Sequence, residues 1–150
     1  MNIGEERMEE AKHAIFIIRN KDGKYLQYHD KRWRSFLFLN CKIEDSFGSN
    51  QIKKFLWERL GMDKDSISIQ FLKDMVHQKI SVPSNTKKKY HHYFYLVEFD
   101  LGKNMMKDKF KYQDISYQWF TMEELQKNKR IQEVNQDIVS YVENLMKERM

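Results

Sequence analysis

Three carboxylates, Glu44, Asp45 and Glu58, lie just before and within one predicted helix, and Arg32, Trp33, Arg34 and Lys42 precede them. Carboxylates placed this way can gather a divalent cation. Magnesium takes hard oxygen ligands, and residues three or four apart share one helix face. Each acid also has a plainer use. Lys54 stands one turn before Glu58, and such an exposed pair contributes only ~0.3–0.5 kcal/mol. Glu44 and Asp45 suit a polar loop, where negative charge is favourable near a helix N-terminus. Arg32, Arg34 and Lys42 read by themselves as a solvated edge. Trp33, Trp57, Tyr90 and Tyr93 could stack on a base, although aromatics are 14% of the chain and many must be core.

Other reactive types carry less. His91 and His92 are adjacent, so strand alternation sends them to opposite faces, which opposes joint chelation. One is expected exposed and the other packed. Cys41 as a nucleophile would need an oriented base, and no motif supplies one, so an inert thiol is expected. Lys87, Lys88 and Lys89 form the one dense basic run, beside Tyr90. They read as a solvated loop, or as an RNA contact whose affinity would fall steeply with salt.

The elements that must position these residues follow from pattern. With 150 residues the chain is about one domain, 1–150, long enough to bury roughly two-thirds of its unfolded surface. Residues 1–11 read as a flexible or helical extension, charged and without the apolar middle of a signal peptide. Apolar residues are 41% and charged residues 33%, which excludes a disordered polar chain. No apolar run approaches the ~20 residues that span a bilayer. One cysteine allows no internal disulfide, which fits a cytoplasmic protein. The net charge of +5, from 27 basic and 22 acidic residues, is mild and mostly interleaved.

Residues 13–19 read as a buried strand, Asp22-Gly23 as a hairpin turn, and 24–29 and 35–39 as further strands. After an irregular stretch over 40–49, Ser49 is placed to cap a helix over 50–60. Gly61 ends that helix, and Ile52, Phe55, Leu56 and Leu60 form its apolar stripe. Strands are expected at 66–71, 91–99 and 117–120. On the second of these, Tyr93, Tyr95, Val97 and Phe99 face one way and Phe94 and Leu96 the other. Thr121 and Glu124 have capping-box spacing, and a last helix covers 132–147. The order describes an α+β domain with a mixed sheet between helices.

The segment from Leu39 to Ser46 (LNCKIEDS), between a strand and the helix that ends at Gly61-Met62, resembles the Nudix hydrolase family. That family's signature is G-x5-E-x7-R-E-U-x-E-E-x-G-U. Ala14 to Leu26 looks like the family's opening hairpin, and Gln118 to Leu125 like the segment before its last helices. The resemblance implies a Nudix-like α/β/α sandwich. It also implies a loop–helix–loop that holds divalent cations on glutamates while water attacks a nucleoside diphosphate derivative.

Aligned on Gly61, the signature arginine falls on Lys54 and its paired glutamates fall on Glu58 and Arg59. The glutamate after the arginine falls on Phe55, and the early one on Ser46, or on Phe47 when Lys42-Ile43-Glu44 sets the frame. Of four signature glutamates only Glu58 remains, and a fixed cation at Arg59 opposes a metal. The expectation is therefore a Nudix fold with an eroded site and no cofactor. It would bind a nucleotide-like ligand through Arg32, Trp33, Arg34 and Lys42, or a protein partner, as a monomer or an oligomer.

Two alternatives stand beside it. One is a Mg- or Mn-dependent diphosphate hydrolase using Glu44, Asp45 and Glu58, with Asp108 or Asp114 as a loop acid drawn from elsewhere. The other is an RNA-binding or assembly component using Lys87, Lys88 and Lys89.

Overall fold

The computed structural model describes residues 10–44, 48–99 and 103–149. Among these, seven strands form one sheet: β1 (Glu10–Ile18), β2 (Tyr25–Asp30), β3 (Ser35–Lys42), β4 (Ser68–Ser81), β5 (Thr86–Glu98), β6 (Lys109–Tyr112) and β7 (Ile115–Phe120). The helices are α1 (Ser49–Leu60), α2 (Met122–Lys127) and α3 (Lys129–Glu148). The strand order is β4-β5-β1-β3-β2-β7-β6. Neighbours are antiparallel except β1 and β5, which run parallel from Glu10 opposite Lys89 to Ile18 opposite Val97.

Alternation along the strands builds two cores. Ala14, Phe16 and Ile18 of β1 turn towards Ile52, Leu56 and Leu60 of α1. Ile15 and Ile17 turn the other way, to Ile138, Val142 and Leu145 of α3. The sheet therefore lies between helices. On β5, Tyr95 and Val97 join the α1 side while Phe94 and Leu96 join the α3 side, the partition its sequence predicts.

Gly23, at φ 75°, closes the first hairpin, where the Asn20 carboxamide oxygen accepts from the amides of Asp22 and Lys24. Thr121 and Glu124 form the expected capping box. α3 is interrupted at Asn135, whose φ of −139° is not helical. None of the helices among the described residues is long and apolar enough to cross a membrane.

Several boundaries differ from the sequence expectation. β1 begins at Glu10, so residues 10 and 11 of the expected extension are strand, held by β5; residues 1–9 lie outside the described residues. Asn40 to Lys42 extend β3 instead of starting a loop. Gly48, not Ser49, occupies the N-cap of α1, and its amide donates to the Gln51 side chain at 2.9 Å. β4 and β5 form a hairpin far longer than the predicted 66–71 and 91–99. Lys87 to Lys89 are accordingly strand and not loop. The sequence does not mark the full length of this hairpin because its outer half is exposed on one face, so apolar alternation fades while backbone pairing continues.

Candidate functional site: a cleft under α3

Concave surfaces on opposite sides of the sheet contain most of the chemistry. The first is a cleft of about 90 Å³ between the sheet and α3, lined by Asp30, Arg32, Trp33, Lys79, Tyr90 and His92 among others. Its rim is fixed locally. The Asp30 carboxylate ends β2 by accepting from the amides of Arg32 at 2.9 Å and Trp33 at 3.0 Å, and from the Tyr28 hydroxyl at 2.8 Å. The Asn40 amide donates to that hydroxyl. Arg130 of α3 donates to the carbonyls of Trp33 at 2.6 Å and Arg34 at 3.1 Å. The Trp33 backbone is thus tied to β2 and to α3, which fixes the base of its side chain.

Lys79 enters the cleft from β4. Its ammonium lies 5.4 Å from the Trp33 ring centre and 5.8 Å from that of Tyr90, within cation–π range. It donates to Asp137 at 3.3 Å, to the Val134 carbonyl and to Asn135. The break at Asn135 frees helical carbonyls, and Lys79 satisfies one of them. Burial lowers the Lys79 pKa, opposed by Asp137. The Asp137 carboxyl is held down at about 2 despite burial, by His77 and Lys79.

Three imidazoles from three strands meet nearby. The His92 ring centre is 4.9 Å from that of His77 and 6.0 Å from that of His13. Nδ1 of His77 lies 2.8 Å from the Asp137 carboxylate. Both ring nitrogens of His92, Nδ1 of His13 and Nε2 of His77 are buried and have no hydrogen-bond partner among the described residues. Burial, aided by neighbouring cations and imidazoles, pushes His92 down to about 3. Burial and Lys42 push His13 down to about 4. His92 and His13 are thereby held neutral, and Lys79 and Arg32 bring positive charge to the cleft lining.

The second surface is an open groove of about 330 Å³ along α1, lined by Lys42, Glu44, Lys54, Phe55 and Glu58 with Cys41 and Gln51. Glu58 faces Lys54 at 4.0 Å on the exposed helix surface. Phe55 packs on Phe16 at 5.4 Å between ring centres, and the Arg59 guanidinium covers the Phe55 ring at 5.2 Å. Burial pushes the Cys41 thiol up to about 11, which keeps it protonated and unreactive. Among the described residues no group of three or more His, Cys, Asp or Glu side chains could hold a metal ion. The described lining of this groove sets two carboxylates, Glu44 and Glu58, beside the Lys42 and Lys54 ammoniums and the Phe55 ring. Asp45, Ser46 and Phe47 lie outside the described residues.

The sequence candidates therefore separate. Arg32 and Trp33 line the cleft, with Tyr90. Lys42, Glu44 and Glu58 line the groove. Arg34, at φ 56°, serves through its carbonyl. Trp57 is 53% exposed beneath the Lys64 ammonium. Asp108 pairs with Lys24 at 3.2 Å, and Asp114 sits at φ 66° in the turn between β6 and β7. His92 is buried, while His91 bonds Asp74 at 2.8 Å on the other face. His13, His77, Lys79, Asn135 and Asp137 were not legible as site residues, because they converge from β1, β4 and α3 without local spacing.

No family model matches the sequence, and no curated protein matches it. Solved structures match over nearly the whole chain. The MutT protein from Methanosarcina mazei Go1 aligns with a TM-score of 0.65 at 14% identity, over 97% of this chain and 99% of that one. A UDP-X diphosphatase aligns at 0.60 and 10% identity, over 99% of this chain and 68% of that one. RenU, a Nudix hydrolase from M. smegmatis, aligns at 0.50 and 9% identity, over 91% of this chain and 87% of that one. The fold is Nudix-like.

Proposed function

We propose that this chain binds a nucleotide-like ligand in the cleft under α3 and does not hydrolyse it. One observation carries the reading: Trp33 and Tyr90 both lie beside the Lys79 ammonium, with Arg32 in the same lining. Aromatic faces accept a base without demanding its identity, while a guanidinium meets phosphate oxygens with paired donors. The eroded reading of the old metal site is supported by Phe55 and Arg59 on α1 and by the Lys54–Glu58 pair. Phosphoryl transfer needs cation charge where the leaving group develops its own, and this groove offers ammoniums and hydrocarbon instead.

The hydrolase alternative has one observation in its favour, because Glu44 and Glu58 share the groove. Magnesium or manganese would then be held there with help from substrate phosphates. A nucleoside diphosphate panel, with and without Mg²⁺ or Mn²⁺, separates the two. The binding reading expects a raised melting temperature without metal, lost in Trp33→Ala, and no phosphate or nucleoside monophosphate release. Metal-dependent turnover abolished by Glu58→Gln would replace it with the hydrolase reading.

A further inference from the structure

Among the described residues nothing covers the outer half of the β4–β5 hairpin on the α1 side, since α1 packs over the centre of the sheet. Register sets Asp74 opposite Tyr93, Val76 opposite His91, Gln78 opposite Lys89 and Ile80 opposite Lys87. In β4, Phe71 is 51% exposed, Val76 50% and Ile80 63%. Three large apolar side chains exposed on one edge strand mark an interaction surface more than a solvated one.

Rings form a continuous path across this face. Phe71 lies 6.4 Å from Tyr93, and Tyr93 stacks on His91 at 4.3 Å. Charge follows the path. His91 and Asp74 satisfy one another at 2.8 Å. Lys87 and Lys89 are exposed, and the residues across from them, Ile80 and Gln78, are not acidic.

We propose that this face binds single-stranded RNA, with bases stacked on Phe71 and Tyr93 and phosphates met by Lys87 and Lys89. A sheet face that carries aromatics is a sequence-tolerant stacking platform, and the two lysines supply the complement to a phosphate chain. A second copy of this chain is a poorer occupant. Face-to-face pairing brings like lysines together, with Asp74 already committed to His91. RNA suits the face better than DNA because the exposed Gln78 amide, donor and acceptor at once, matches a 2′-hydroxyl. The surface is separate from the cleft under α3, so the inference stands without that reading.

Fluorescence anisotropy with a labelled oligouridylate tests it, beside oligodeoxythymidylate and a duplex. The wild type is expected to bind oligouridylate most tightly, with affinity falling as salt rises. Lys87→Glu with Lys89→Glu abolishes binding at moderate salt, and Lys87→Gln with Lys89→Gln lowers the slope against log salt by about 1.4. Phe71→Ala and Tyr93→Ala each weaken binding by about fivefold to a hundredfold, with unchanged far-UV circular dichroism. No binding at low salt, or binding that all these variants leave intact, overturns the proposal. Equal affinity for the deoxy strand overturns its RNA assignment. A concentration-dependent dimer lost in the same variants assigns the face to a second copy.

Discussion

The Lys79 ammonium lies 5.4 Å from the Trp33 ring centre and 3.3 Å from the Asp137 carboxylate, so one side chain from β4 joins the loop after β2 to α3. Lys79→Met keeps the stem's packing but leaves Asp137, among the described residues, with the His77 ring as its polar side-chain contact. Asp137 is 35% exposed at its side chain, so water softens the loss. We expect about 1–2 kcal/mol of destabilisation, between the limits for exposed and buried pairs, read by urea denaturation at pH 7. Ligand affinity in the cleft should fall in the same variant.

Acid should loosen the fold through its buried imidazoles. His92 and His13 titrate at about 3 and about 4 in the folded protein, against about 6.5 when unfolded. The unfolded chain binds the extra protons, so stability falls as pH drops below about 6.5 and is unaffected by these groups above it. At pH 5 His92 alone accounts for about 2 kcal/mol. Asp137 acts in the same direction only below its ordinary carboxylate range, as pH falls towards about 2. Denaturant midpoints measured between pH 4.5 and pH 8 should show this slope, and His92→Phe should flatten it. A wild-type profile that is level from pH 7 to pH 5 would contradict neutral His92 and His13 in the folded protein.

Gly61 ends α1 at φ 68°, a left-handed backbone that costs other residues about 1–2 kcal/mol. A Cβ there would also stand 2.9 Å from the Tyr112 hydroxyl oxygen, so that ring must move. Gly61→Ala is expected to lower thermal stability by at least the backbone cost. Calorimetry checks it, and Gly23→Ala is the useful control, since a Cβ at Gly23 meets nothing within 4 Å.

The groove along α1 offers a direct test of the eroded reading. Phe55→Glu with Arg59→Glu places two carboxylates beside Glu58 on neighbouring positions of one helix. The double variant should bind Mn²⁺ detectably by electron paramagnetic resonance, and the wild type should not. It should also lose about 1–3 kcal/mol with the Phe55 contact on Phe16. Mn²⁺ binding by the wild type would show that Glu44 and Glu58 already suffice.

What the sequence reveals depends on how local its cause is. The Thr121 capping box, the Gly61 stop and the two faces of β5 arise within a few residues, and pattern reads them directly. α1 likewise emerges from Ile52, Leu56 and Leu60. The outer part of β4 and β5 does not, because one face of Lys73 to Gln78 and of Thr86 to Lys89 is exposed, and cross-strand pairing holds what apolar alternation does not mark. β6 is an edge strand of four residues, too short for periodicity. In the cleft, Arg32 and Trp33 were found through their place before the helix. His13, His77 and Asp137 depend on tertiary convergence that no spacing encodes.

The outer hairpin joins the rest of the sheet through one parallel ladder, β1 against β5. During synthesis β1 gains its antiparallel neighbour β3 early, yet its other edge stays open until the chain has emerged past Glu98. Such distant pairing is slow, because the long intervening loop must close before any bond rewards it. Until then an apolar strand presents free amides and carbonyls to its surroundings. The open edge of β1 is therefore the part of the growing chain most exposed to wrong pairing, until β5 closes it.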